Sequence, residues 1–312
     1  MRMSPGRFLP VIAFFLGCSE SPTPVPSDAG RDGTADASDA ASNPDGKTCT
    51  GLQPFATGSV EGAANPLTVP AGAVRAGRLT MAQLPADRTG LSEARTGDYV
   101  LANERIAVLV EGARASAGYD PWGGGLVGVA RNDGGRLVDA ADFNEIIFGL
   151  GRFTLQTETV TVLHDGTDGM PAVVRAVGVL RAIPFIDDFG RGLAPQDYSV
   201  TRAAVDYELR PGAQSLDVSV TFDTSAADDD QIVTTVLHAF FQGYRMSRFF
   251  PGVGFVPTGS DTTTPQTNWV GFIDDAAMSY AWQLPTSTQN FATFASVSGF
   301  DAFRAPQLRL PM

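Results

Sequence analysis

The side chains in this chain that could do chemistry are few and scattered. There are two histidines, His164 and His238. Histidine is the common metal ligand and general base near neutral pH. His164 ends an apolar run and precedes Asp165-Gly166, a setting that suits a turn-flanking surface residue better than a ligand. His238 lies among the apolar residues of 233–241 and reads as a hydrogen-bonded core or near-surface histidine ahead of a ligand. Nothing in their spacing brings the two together, so no metal site is assigned. The acidic runs are Asp187-Asp188, Asp228-Asp229-Asp230 and Asp274-Asp275. Two carboxylates about 5 Å or 6.5–9.5 Å apart can hydrolyse a glycosidic bond, but neighbouring acids on a strand point to opposite faces. The 228–230 run is most simply a solvated loop, with calcium in a loop as the alternative for any of the three. No catalytic residue is assigned.

The most suggestive loop is Tyr119-Asp120-Pro121-Trp122-Gly123-Gly124-Gly125. Tyr119 and Trp122 could stack on a sugar face and are the candidate ligand-binding residues. The alternative is a tight loop whose tryptophan plugs the edge of a sandwich. Phe249, Phe250 and Phe255, with Pro251-Gly252 and Gly254, read likewise: a long loop over the core first, a ligand rim second. No G-x-S-x-G, P-loop or helix-opening G-x-G-x-x-G is present, and no cofactor is expected.

These residues belong to an acidic chain of 312 residues with formal charge −12. That balance argues against nucleic acid, whose phosphates need clustered Lys and Arg. Residues 1–17 carry Arg2 and Arg7 and no acid, and 8–16 (FLPVIAFFL) is apolar. The run is too short for a transmembrane helix, which needs about 20 apolar residues. A basic n-region, a short h-region and a small residue before the cut make a secretory signal. With Phe15-Leu16-Gly17-Cys18 in the place of a lipobox, it resembles a bacterial lipoprotein signal. That resemblance implies acylation of Cys18 and anchoring to the cell envelope, with Ser19 after the cysteine pointing to the outer membrane. At about 0.8 kcal/mol per buried CH₂, two or three acyl chains hold where one would not.

Residues 18–48 read as a disordered Ala/Asp/Ser/Pro-rich tether. Val25 is the one large aliphatic in the stretch, so it cannot bury enough surface to offset its chain entropy. Its spaced acids lack the D-x-[DN]-x-[DN]-G pattern of an EF-hand. Cys49 is the second and last cysteine, and two cysteines build no disulfide framework.

Residues 49–312 read as an all-β domain, with turn signals between strand-like runs and no βαβ alternation. Asn132-Asp133-Gly134-Gly135 marks a hairpin. In 198–223, Ala203, Val205, Tyr207 and Leu209 share one face, and Leu216, Val218, Val220 and Phe222 share a face of the return strand, a clear period of two. The 231–244 segment is ambiguous, because Val233, Val236, Leu237 and Phe240 could also mark a helical face. The expected architecture is a large antiparallel, supersandwich-like β-sandwich.

DYVLANERIAVLVEGA, PWGGGLVGVA, GGRLVDAADFNE, VDYELRPGAQSLDV and GFIDDAAMSYAW together resemble the N-terminal β-sandwich of secreted CehA/McbA-like metallohydrolases, over most of residues 90–300. In that group the sandwich precedes a PHP-type metal-dependent phosphoesterase domain. The PHP domain's H-x-H opening and ligand set are missing here, so the resemblance transfers no catalytic residue and implies a shortened relative, truncated at its C-terminus. The resulting expectation is a membrane-anchored, non-catalytic sandwich that binds an extracellular carbohydrate or protein. The alternatives are a carbohydrate-active sandwich enzyme and a detached accessory domain of a metallohydrolase.

Overall fold

The structure, a computed structural model, describes residues 11–14, 55–141, 143–150, 152–184, 187–188, 191–192, 197–199, 201–223, 232–233, 236–242, 246–256, 269–274, 279–283, 292–297, 300–305 and 308–309. Cys18, Cys49, the 18–48 segment, Asp228, Asp229, Asp230 and Asp275 lie outside them.

The fold is all-β, with antiparallel strands in a curled, half-barrel sheet that closes over a common core. In chain order the first strands are β1 (Val11–Phe14), β2 (Val74–Arg78), β3 (Tyr99–Asn103), β4 (Ile106–Val110), β5 (Leu126–Asp133), β6 (Arg136–Val138), β7 (Phe143–Leu150), β8 (Phe153–His164), β9 (Ala172–Ala182), β10 (Arg202–Leu209) and β11 (Ser215–Phe222). They continue with β12 (Ile232–Val233), β13 (Val236–Gln242), β14 (Met246–Phe250), β15 (Gly254–Val256), β16 (Trp269–Asp274), β17 (Tyr280–Gln283), β18 (Ala292–Val297), β19 (Phe300–Ala305) and β20 (Leu308–Arg309). β1 falls in the apolar run expected as the export signal and lies parallel to β11 and β17. Cleavage at the expected site would remove it. Every other pairing among the described strands is antiparallel.

The period-two hairpin forms as expected, with Ala203 opposite Phe222, Val205 opposite Val220, Tyr207 opposite Val218 and Leu209 opposite Leu216. Those side chains join the main core, which also takes in Tyr99, Leu101, Val108, Ile146, Leu155 and Val174. The 132–135 signal also holds: β5 and β6 pair from Asp133 opposite Arg136, leaving Gly134 and Gly135 as the turn. Both have positive φ, +58° and +95°, the backbone of a two-residue turn that matches strand twist.

β3 and β4 are apolar without alternation (YVLAN, IAVLV) because both their faces are covered. Tyr99, Leu101 and Val108 enter the main core. Val100, Ala102, Ala107 and Leu109 meet a second core closed by Leu67, Leu79, Leu91 and Ala94 from the preceding connection. Continuous apolar runs are the mark of a doubly covered strand. Where it is described, the ambiguous 231–244 segment is extended: its 236–242 stretch pairs with β7 on one side and β19 on the other. A short apolar run cannot be told from a helical stripe by periodicity alone.

Candidate functional site

The loop singled out by its Tyr, Trp and glycines connects β4 to β5, and it covers a knot of acidic side chains. Asp98 immediately precedes β3, Glu111 follows β4, Asp120 lies in the loop and Glu145 lies on β7. Asp98, Glu111 and Glu145 are buried, Asp98 completely. Asp120 is half-buried as a residue, its carboxyl being the more enclosed part. These acids are widely separated in sequence, and strand pairing alone unites them.

Among the described residues, one guanidinium serves the knot. Arg114 Nε and Nη2 donate to the two oxygens of Asp98 at 2.9 and 3.0 Å, and Nη1 pairs with Glu111 Oε1 at 2.6 Å. Asp98 takes two further bonds, from the Gly112 and Arg95 amides, which fills its acceptor capacity. Glu145 has a different task. Its oxygens accept the backbone N–H groups of Tyr119 (2.7 Å) and Asp120 (2.9 Å), clamping the loop across the sheet. The Asp120 carboxylate then accepts the Trp122 amide at 3.3 Å.

Burial pushes the carboxyl groups of Glu111, Asp120 and Glu145 up to about 7 each. Loss of water is the dominant cause in all three, since burial disfavours the charged form. Arg114 pulls Glu111 back, and the two donated amides pull Glu145 back. On Asp120 the next largest influence is the like charge of Glu145, which adds to the rise.

The triple glycine is explained by packing. The Gly123, Gly124 and Gly125 carbonyls accept bonds from Thr157 Oγ1, the Tyr207 hydroxyl and the Glu111 amide. A Cβ on Gly124 would lie 2.4 Å from Thr157 Oγ1, and one on Gly118 would lie 2.5 Å from the Glu145 carboxyl. The glycines let the loop press against the sheet. Of the two candidate ligand residues, Trp122 is half-buried and its Nε1 is enclosed without an acceptor among the described residues. Tyr119 is 52% exposed at the loop surface. The two candidates therefore differ in exposure, Tyr119 being the more exposed of the pair.

The other sequence candidates disperse. His164 is exposed at the end of β8, as its turn-flanking position suggested. His238 lies within β13, opposite Phe148 and Phe303 in register, and its side chain is not among those described. Asp187 is held by Arg152 and Arg191, each at 2.6 Å, which draws its carboxyl below the usual range and makes it an ion-pair centre. The aromatic set 249–255 splits: Phe250 is fully buried, while Phe255 is 64% exposed. Phe249 stacks on Trp269 and meets Phe255 edge-on. A cleft of about 360 Å³ opens beside Glu61, Arg78, Leu79, Thr80, Thr96 and Gly97. Its cation, Arg78, is engaged by Glu61 and by the Gly97 carbonyl. No group of three or more metal-ligating side chains occurs among the described residues, and no described helix is long and apolar enough to cross a membrane.

Sequence reasoning missed the acid knot. The available signal was an isolated acid set in an apolar strand, Glu145 in FNEIIFGL, and another directly after IAVLV, Glu111. Comparison of the chain with family models, with curated proteins and with solved structures gives no match.

Proposed function

We propose that this chain is an exported lipoprotein, anchored to the cell envelope through Cys18, whose non-catalytic sandwich binds an extracellular polymer or protein at the face that carries Tyr119. The observation that supports this most is the use made of the acids. Glu145 and Asp120 spend their oxygens on loop amides, and Glu111 and Asp98 are tied to Arg114. They fasten an aromatic-bearing loop to the sheet. Preorganisation of this kind lowers the entropy lost on binding, and exposed tyrosines are common anchors of recognition surfaces.

Two measurements test the reading. The first is retention of the chain on insoluble polysaccharides (cellulose, chitin, xylan and peptidoglycan sacculi). Tyr119→Ala is expected to weaken retention about tenfold, the equivalent of about 1.4 kcal/mol. Equal retention of wild type and variant, or no retention of either, refutes a Tyr119 polymer site. The second is incorporation of labelled palmitate in cells, which should disappear in Cys18→Ser together with membrane fractionation. Persistent labelling refutes the anchor.

A carbohydrate-active enzyme is the second reading, favoured by one specific observation: three carboxyl groups raised to about 7, the range in which a general acid works at neutral pH. Release of reducing ends from a retained polymer, lost in Glu111→Gln, would select it over the binding module.

A further inference from the structure

Among the described residues, the acid knot contains more carboxyl groups than the guanidinium of Arg114 can neutralise. Arg114 gives two of its bonds to Asp98 and one contact to Glu111, while Glu145 and Asp120 face backbone amides. The charged groups acting on Asp120 are Glu145 and Glu111, both of its own sign. Glu111 also faces Asp98 and Glu145, Glu145 also faces Glu93, and from β10 Tyr207 lies within the field of Asp120, Glu111 and Asp206. Buried carboxylates without a counter-charge are costly and take up protons in preference to remaining ionised.

We propose that Glu111, Asp120 and Glu145 form a proton-operated latch on the 116–125 loop: with a shared proton in the knot the loop is fastened to β7, and when that proton leaves, repulsion between the carboxylates loosens it. Glu145 accepts two amide bonds and is best served by its charged form. Asp120 is the member that holds the proton, because the charged groups acting on it among the described residues, Glu145 and Glu111, are both negative. Its ionisation places a second negative charge on the same short span of backbone that Glu145 grips. The strain falls on residues 119–122, which carry Tyr119 and the half-buried Trp122. The upward displacement of all three acids to about 7 puts the transition at neutral pH. The sign follows from linkage: an acid raised in the folded state contributes its stability fully below the ordinary carboxylate range, and that contribution is lost as pH rises through about 7.

The test uses the full chain with 5-fluorotryptophan at its three tryptophans. The Trp122 resonance is identified by its disappearance in Trp122→Phe. Between about pH 5.5 and 8.5 it is expected to shift with a midpoint near 7, and the thermal midpoint is expected to fall across the same window. Asp120→Asn keeps an oxygen for the Trp122 amide and removes the titrating proton, so the shift should vanish. If that variant does not fold, Glu111→Gln provides the readout: one like charge fewer must move the midpoint to lower pH. A Trp122 signal that stays flat in the folded wild type overturns the latch. So does a midpoint unchanged in the variants, or a thermal midpoint that does not fall. That the loop's state governs ligand retention rests on the proposed function, whereas the titration does not. A titrating Trp122 without polymer retention therefore refutes the Tyr119 polymer site and leaves the latch standing.

Discussion

Replacing Asp206 by alanine is expected to lower the unfolding free energy by about 3–5 kcal/mol, the cost of removing one partner from a buried ion pair. Asp206 on β10 lies directly opposite Arg175 on β9. The two form a bidentate bridge, Nε to Oδ1 at 2.6 Å and Nη2 to Oδ2 at 2.7 Å, with side-chain exposures of 3% and 11%. Arg–carboxylate forks are among the strongest of charge-assisted hydrogen bonds. Alanine at 206 leaves a buried guanidinium without its carboxylate. Urea unfolding should show a lower midpoint with an unchanged slope, the sign of a stability change without a change in the exposed surface. The pair Arg175→Met with Asp206→Leu should recover most of the loss, because two apolar side chains of similar volume need no counter-charge. A loss below about 1 kcal/mol in Asp206→Ala would show that the bridge is solvated and contributes as little as a surface pair.

Arg114→Ala is expected to be comparably damaging, about 3–5 kcal/mol near neutral pH, and to act on the loop as well as on overall stability. Arg114 is the cation of the acid knot, bonded to both oxygens of the fully buried Asp98 and paired with Glu111. It also donates to the Glu93 and Ala115 carbonyls, so its loss leaves the Gly112 amide bond to Asp98 as the remaining side-chain tie, among the described residues, between the 93–98 connection and the 111–116 segment. Limited proteolysis should cut the variant within 111–125 and leave the wild type intact there. Arg114→Lys should recover only part of the loss, since an ammonium keeps the charge but not the planar fork. The deficit should be smaller at pH 5 than at pH 8. Arg114 opposes the rise on Glu111, so without it the glutamate is pushed still higher and is neutral at the lower pH, where no counter-charge is needed. A deficit of equal size at both pH values would show that Arg114 acts through packing of its aliphatic stem.

How far the sequence goes differs between fold and site. The β10–β11 hairpin was legible because one face is apolar and the other mixed, so a period of two survives in the text. The β5–β6 turn was legible because two successive residues with positive φ require glycine or its few substitutes. The 236–242 stretch could not be assigned, because VLHAFFQ is a short apolar run with little alternation, and periodicity alone does not separate a strand of that kind from a helical face. The aromatic loop was legible as composition, but its two candidates looked equivalent. Which of them faces outward depends on the depth to which Gly118 and Gly124 let the loop sink, and therefore on Glu145 and Thr157, residues some thirty positions away in the chain.

The sequence by itself determined an acidic, all-β chain with an export-signal pattern, its turns, its best hairpin and the loop that carries Tyr119. These rest on local rules: periodicity, turn stereochemistry and the composition of a short segment. The tertiary structure alone decided that Asp98, Glu111, Asp120 and Glu145 meet around Arg114, while the conspicuous pair Asp187-Asp188 supplies Asp187 as an ordinary ion-pair centre. Burial and mutual charge arise from long-range strand pairing. An acid that ends far from water among other acids is written with the same letter as one that ends in solvent.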